Sequence, residues 1–88
     1  MKSLNKTIDE KFLEKNTRIR NALHLANIHS YKQLFEKAEE KYNLHYIKNL
    51  NIDSIKKINK HVIGKFEKSL PNYEKNLYDT TLIKELKK

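Results

Sequence analysis

The sequence predicts an all-α protein: a compact bundle of four to six short helices containing a helix-hairpin-helix, with a C-terminal helical tail. Three observations predict it. No stretch alternates apolar and polar residues as a half-buried strand would. Ile55, Ile58, Val62 and Phe66 recur at spacings of three and four, the period of a long amphipathic helix. Helix start and stop signals also punctuate the chain, with capping-box patterns at Thr7–Glu10 and Ser30–Gln33 and the chain's one proline, Pro71, as a late breaker.

Taken in order, Thr7-Ile8-Asp9-Glu10 predicts a first short helix or ordered arm with Thr7 as its cap, and Ile8 and Phe12 lie four apart. Asn16 is placed to cap a second helix in which Ile19, Leu23 and Ala26 share a core face. Arg18, Asn21 and His24 or Leu25 then fall on an exposed side. Asn27 follows the last periodic residue, and Asn is second only to Gly as the left-handed residue that closes a helix. Ser30-Tyr31-Lys32-Gln33 opens a third helix, whose apolar residues are Leu34 and Phe35.

Tyr42, Leu44 and Ile47 predict one or two irregular turns before the polar knot NLNIDS, residues 49–54. The long helix follows; Gly64 either ends it or weakens it by about 1 kcal/mol. Beyond Pro71, Leu77, Leu82 and Leu86 form a last apolar set. The expected division is an N-terminal arm over 1–15, a helical domain over 16–70 and a tail over 71–88.

At 88 residues the chain is one small domain, and a domain near this size buries about 60% of its unfolded surface. It has no cysteine, hence no disulfide framework and no thiolate metal site. The N-terminus carries no apolar run, so neither a signal peptide nor a membrane span is expected, and the expected compartment is cytoplasmic. A net charge of +8 points to anionic partners, although lysines spread along the chain also suit a solvated surface. The only two arginines, Arg18 and Arg20, sit on one helix.

Little else points to chemistry. The four histidines, His24, His29, His45 and His61, lack a metal-ligand spacing and read as surface or half-buried side chains. The adjacent carboxylates Asp9-Glu10 and Glu39-Glu40 point different ways and read as caps and solvated faces. There is no Gly-rich loop and no cysteine nucleophile. The expectation is therefore a protein that is not an enzyme and takes no cofactor. Five tyrosines are scattered without the repeating basic-aromatic pattern of a single-strand stacking platform.

Two blocks, in order, carry a resemblance. The first is Arg18-Ile19-Arg20-Asn21-Ala22-Leu23-His24-Leu25-Ala26-Asn27-Ile28, and the second is Leu44-His45-Tyr46-Ile47-Lys48-Asn49-Leu50-Asn51-Ile52-Asp53-Ser54-Ile55. Over Phe12 to Val62 the chain resembles the C-terminal domain of the bacterial RNA polymerase alpha subunit, a compact helical fold with a helix-hairpin-helix. The resemblance implies binding to double-stranded DNA in the A/T-rich minor groove. It implies that Arg18 enters the groove, Asn21 reaches the same groove or its sugar edges, and Ser54 bonds a phosphate oxygen with the free amides of residues 51–54. A planar, weakly hydrated guanidinium suits a narrow A-tract groove better than an ammonium does. Ser54 equally suits a plain N-terminal cap.

Departures from the family pattern matter. Asn51 stands where the family has its hairpin glycine and is expected to adopt the left-handed conformation at a cost of about 1 kcal/mol. Asp53 stands where a lysine is usual; it would act as a helix cap, yet repel a phosphate ~4 Å away by about 1 to 4 kcal/mol. His24 replaces a family lysine, while Lys57 falls where the family often has an acid and Lys48 and Lys56 flank the turn. The expected DNA-contacting set is therefore Arg18, Asn21, His24, Lys48, Asn51, Ser54 and Lys57.

The long assembly domain of the alpha subunit is missing and the chain opens with Met, which predicts a free-standing small protein acting in transcription. RNA polymerase or its sigma factor is a possible protein partner; no membrane and no small-molecule substrate are expected. The alternative is a protein-interaction module that binds polymerase or a regulator, has lost DNA binding, and faces its partner with Leu77, Leu82 and Leu86. A third reading is RNA, since hairpin turns of this kind read backbones.

Overall fold

A computed structural model describes residues 4–40 and 43–71. The expectations for Tyr42 and for the tail leucines Leu77, Leu82 and Leu86 lie outside the described residues. Those residues form four α-helices and one 3₁₀ helix: α1 (Glu10–Lys15), α2 (Thr17–Leu25), α3 (Tyr31–Glu39), the 3₁₀ helix (Asn43–Tyr46) and α4 (Ile52–Phe66). Among them there is no strand; Thr7 and Ser30 form one isolated antiparallel bridge. Among the described residues no helix is long and apolar enough to cross a membrane.

The core follows the apolar periodicity. Ile19, Ala22 and Leu23 of α2, Tyr31, Leu34, Phe35 and Ala38 of α3, and Ile55, Ile58 and Val62 of α4 are buried together with Ile8, Ile28, Leu44, Leu50 and Leu70. The chain before α1 belongs to this core rather than standing apart from it. Ile8 is buried, its amide donates to His29 O at 3.1 Å, and Lys6 O and Leu4 O accept from the amides of Tyr31 and Lys32.

The local signals hold at some positions and give way to tertiary contacts at others. Ser30 and Gln33 form the full reciprocal capping box of α3. Asn27 has a positive φ of 60°, and the Ile28 and Asn27 amides donate to Leu23 O and His24 O. This is the Schellman closure, in which orphan carbonyls of the last turn are satisfied. Thr7, in contrast, does not cap α1. It is held in the bridge to Ser30, and the helix begins one residue after Asp9. Asn16 does stand at the α2 cap position, but its side chain donates to Phe12 O at 2.8 Å and so closes α1 instead. Gly64 does not end α4, which continues to Phe66 and stops where Glu67 turns left-handed.

Polar groups stitch α4 to the rest. Tyr31, fully buried, accepts from the Asp9 amide through its hydroxyl oxygen at 3.0 Å and lies 2.7 Å from His61 Nε2. Burial pushes its phenol above the ordinary 10; the Asp9 amide opposes that rise and the Asp9 carboxylate adds to it. The His61 ring stacks on Phe12 at 4.2 Å, tying α1 to α4. Midway along α4, Asn59 Oδ1 accepts from the Leu70 amide at 2.8 Å and the Ser69 hydroxyl at 3.1 Å. Replacing Asn59 by Ala strands a buried amide, so a loss of about 1 to 3 kcal/mol is expected in urea unfolding. A loss under about 0.5 kcal/mol, the size of an ordinary surface change, would show that this anchor is dispensable.

Candidate nucleic-acid interface

The two sequence blocks meet at one cleft. It has a volume of about 1160 Å³ and is walled by Arg18 and Asn21 of α2, His45 to Leu50, and Asn51 to Asp53 at the start of α4. Each wall has a local cause. Ile19, Ala22 and Leu23 turn one face of α2 into the core, which leaves Arg18 and Asn21 exposed on the other. The turn between the 3₁₀ helix and α4 is closed by the Leu50 amide donating to Ile47 O at 3.1 Å, with Leu50 buried beneath it.

Within that turn the left-handed residue is Asn49, with φ of 70°. Asn51 does not take this role. Its φ is −85° and ψ 175°, and it caps α4 by accepting the Ser54 amide on Oδ1 at 2.8 Å. A positive φ at the third position of a tight turn favours Gly or Asn, and Asn49 supplies it. Asn51 is then left extended, as a cap residue must be.

Ser54 also departs from the expected roles. It is neither the cap nor an exposed hydroxyl, being third in the helix and only 7% exposed. Its amide is taken by Asn51, so residues 51–54 do not present a run of free amides. Asp53 is no cap either; it is exposed in the first turn of α4, where the helix dipole favours a carboxylate.

The remaining expected contacts divide. Lys48 lines the cleft. His24 does not: six residues from Arg18 it lies about 120° round the helix, in a second groove with Arg20, Glu10, Glu14 and His29. Its ring centroid is 5.2 Å from that of His29. Lys57 is exposed further along α4, outside the cleft lining. Among the described residues no group of three or more metal-ligating side chains is assembled.

The cleft also holds residues that carried no contact role in the sequence, among them Asn49, Tyr46 and His45. Asn49 contributes its backbone turn, and Tyr46 places an aromatic ring, 52% exposed, beside Lys48. His45 is the third, and it is no surface or half-buried histidine. It is 4% exposed, and its Nδ1 is buried without a hydrogen-bond partner. No amphipathic period of four residues identifies such a position, because a single 3₁₀ turn is too short to show one.

Burial lowers the His45 pKa below the ordinary 6.5. His61 is also lowered, chiefly by burial, with Asp9 acting against and Lys65 with that shift. Both rings therefore bind protons less well folded than unfolded, so their contribution to stability is complete above about pH 6.5. It is lost as pH falls from there through the lowered folded-state values. Urea midpoints are expected to be lower at pH 5.5 than at pH 7.5, and His45→Leu is expected to reduce the difference. An equal or higher midpoint at pH 5.5 would contradict this.

The fold and cleft define a small all-α domain with a basic, amide-rich groove beside a helix start. No family model, curated protein or solved structure matches the chain.

Proposed function

We propose that the chain is a small DNA-binding protein acting in transcription, which grips the minor groove of A/T-rich duplex and its phosphates with the cleft. The observation that carries this reading is the convergence of Arg18 and Asn21 with Lys48 and Asn51 on one cleft, from stretches some thirty residues apart in sequence. Arg18 provides the planar cation for a narrow, strongly negative groove. Lys48 adds backbone neutralisation. Asn51 spends its side-chain oxygen on the cap, so what it offers a ligand is its NH₂ group, a donor.

Fluorescence anisotropy with an A/T-rich and a G/C-rich duplex at two salt concentrations tests the reading. Tighter binding to the A/T-rich duplex, weakening as salt rises, is the expected result. Equal, weak and salt-sensitive binding to both would reduce the cleft to diffuse charge.

The exposed side chains Leu25, at 75%, and Tyr46 favour a second reading, a module that binds RNA polymerase or a regulator. They share a shallow groove with Ala22, Ala26, Ile47 and Lys48, and apolar groups left in water invite a partner. Purified polymerase and sigma factor passed over the immobilised chain, with Leu25→Glu as the variant expected to lose capture, test it. Retention of neither protein by the wild type counts against it.

A further inference from the structure

His45 is an anomaly that the reading of the cleft leaves unused. An imidazole has been buried where an apolar side chain would suit, its Nδ1 has no partner, and the residue lines a cleft that also holds Arg18 and Lys48. Beside it stands the start of α4, a helix of 15 residues. The Ser54 and Ile55 amides there are taken by Asn51, which leaves those of Ile52 and Asp53, both in the cleft wall, as the helix's donors to a ligand.

The Asp53 carboxylate opposes an anion at that place, since it lines the same cleft. A second positive charge near the helix start would offset it, and His45 is the cleft-lining group able to acquire one near neutral pH.

We propose that a phosphate oxygen of a nucleic-acid backbone seats at the floor of the cleft, between the α4 N-terminus and His45, and that the His45 ring takes up one proton from solvent as it binds. The inference rests on the DNA-binding reading above and adds its proton linkage. The charged groups that share the cleft with His45 are Arg18 from α2, Lys48 from the turn and Asp53 from α4. On α3, which also packs against the 3₁₀ helix, the charges are Lys32, Glu36, Lys37 and Glu39, with Glu40 as its C-cap, and α4 adds Lys56, Lys57, Lys60 and Lys65 beyond its first turn. None of these is what makes the free ring resist protonation; burial alone does so. A bound anion reverses that balance, because its charge stabilises the protonated ring that burial disfavours.

Duplex affinity is measured from pH 7.5 to 5.5 for wild type, His45→Leu, His45→Gln and His24→Gln, with circular dichroism reporting the fold at each pH. In parallel, the His45 imidazole is titrated by NMR in the free protein, with inorganic phosphate and with duplex. One linked proton bounds the gain at about tenfold per pH unit. The expected result is a rise approaching tenfold over the range for wild type and His24→Gln, a flat profile for both His45 variants, and a His45 titration moved to higher pH by duplex and, less strongly, by phosphate.

Duplex binding with the same pH slope in wild type and both His45 variants overturns the inference and leaves the cleft reading standing. No duplex binding at any pH overturns the cleft reading, and the phosphate titration then decides the inference alone: a His45 titration that phosphate leaves in place sinks it.

Discussion

Arg18→Ala is expected to weaken binding to an A/T-rich duplex by about 1 to 3 kcal/mol, roughly 5- to 150-fold, and to erase the preference over a G/C-rich duplex. Arg20→Ala is the sharp comparison. It removes the same charge from the same helix two residues away, but Arg20 lines the groove on the other side of α2 with Glu10, Glu14 and His24. Long-range attraction treats the two arginines almost alike, whereas entry of a guanidinium into a narrow groove depends on which one faces it. A loss several-fold larger for Arg18 than for Arg20 is therefore the signature of the cleft. Equal losses would mean that net charge alone drives binding, and the proposed interface would fall.

Leu23→Ala is expected to cost about 2 to 5 kcal/mol, a large share of the 5 to 15 kcal/mol typical of a folded domain. Leu23 is 1% exposed, and its carbonyl also accepts the Ile28 amide that closes α2. Each kcal/mol shifts the melting temperature of a domain near this size by about 4 to 8 °C, so the variant should melt at least about 8 °C lower. Leu25→Ala, the same change two residues later at a site 75% exposed, should stay within about 0.5 kcal/mol of wild type. Thermal unfolding of the two variants side by side checks both. A tolerant Leu23 would mean that α2 is not the element on which the core is built, and that its display of Arg18 and Asn21 has another support.

Much of the fold was legible in the chain because it is written in short-range chemistry. Ile55, Ile58 and Val62 announce the buried face of α4 by spacing alone. Asn27 announces the end of α2, and Ser30 with Gln33 the start of α3, because a cap is an exchange of hydrogen bonds between residues three apart. The site was legible in part for a similar reason. Arg18 and Asn21 lie one turn apart on a helix whose core face was plain, so their exposure followed.

Where local chemistry offered two outcomes, the sequence misplaced the role. Thr7 has the form of a cap, yet the arm it belongs to pairs with the chain at Ser30, and that pairing sets its backbone. Asn49 and Asn51 are the same residue type two positions apart, each suited to a left-handed turn or to a helix cap. Leu50 buried between them, with its amide turned to Ile47 O, assigns the turn to the first and the cap to the second. Ser54 was expected to bond a phosphate or to cap α4, but it falls on the side of α4 that also carries Ile55 and Ile58 inward.

The helical class, the apolar faces of α2, α3 and α4, and the pairing of the two arginines on one helix are readable from the chain alone. Those follow from periodicity and capping, which act within a turn or two of helix. It takes the packed fold to place Arg18 rather than His24 in a cleft with Lys48 and Asn51, to bring the arm before α1 into the core, and to bury His45 with an unpaired nitrogen. The reason is that each of these depends on which surfaces of distant segments are pressed together, and burial, unlike helical period, is a property of the packed whole.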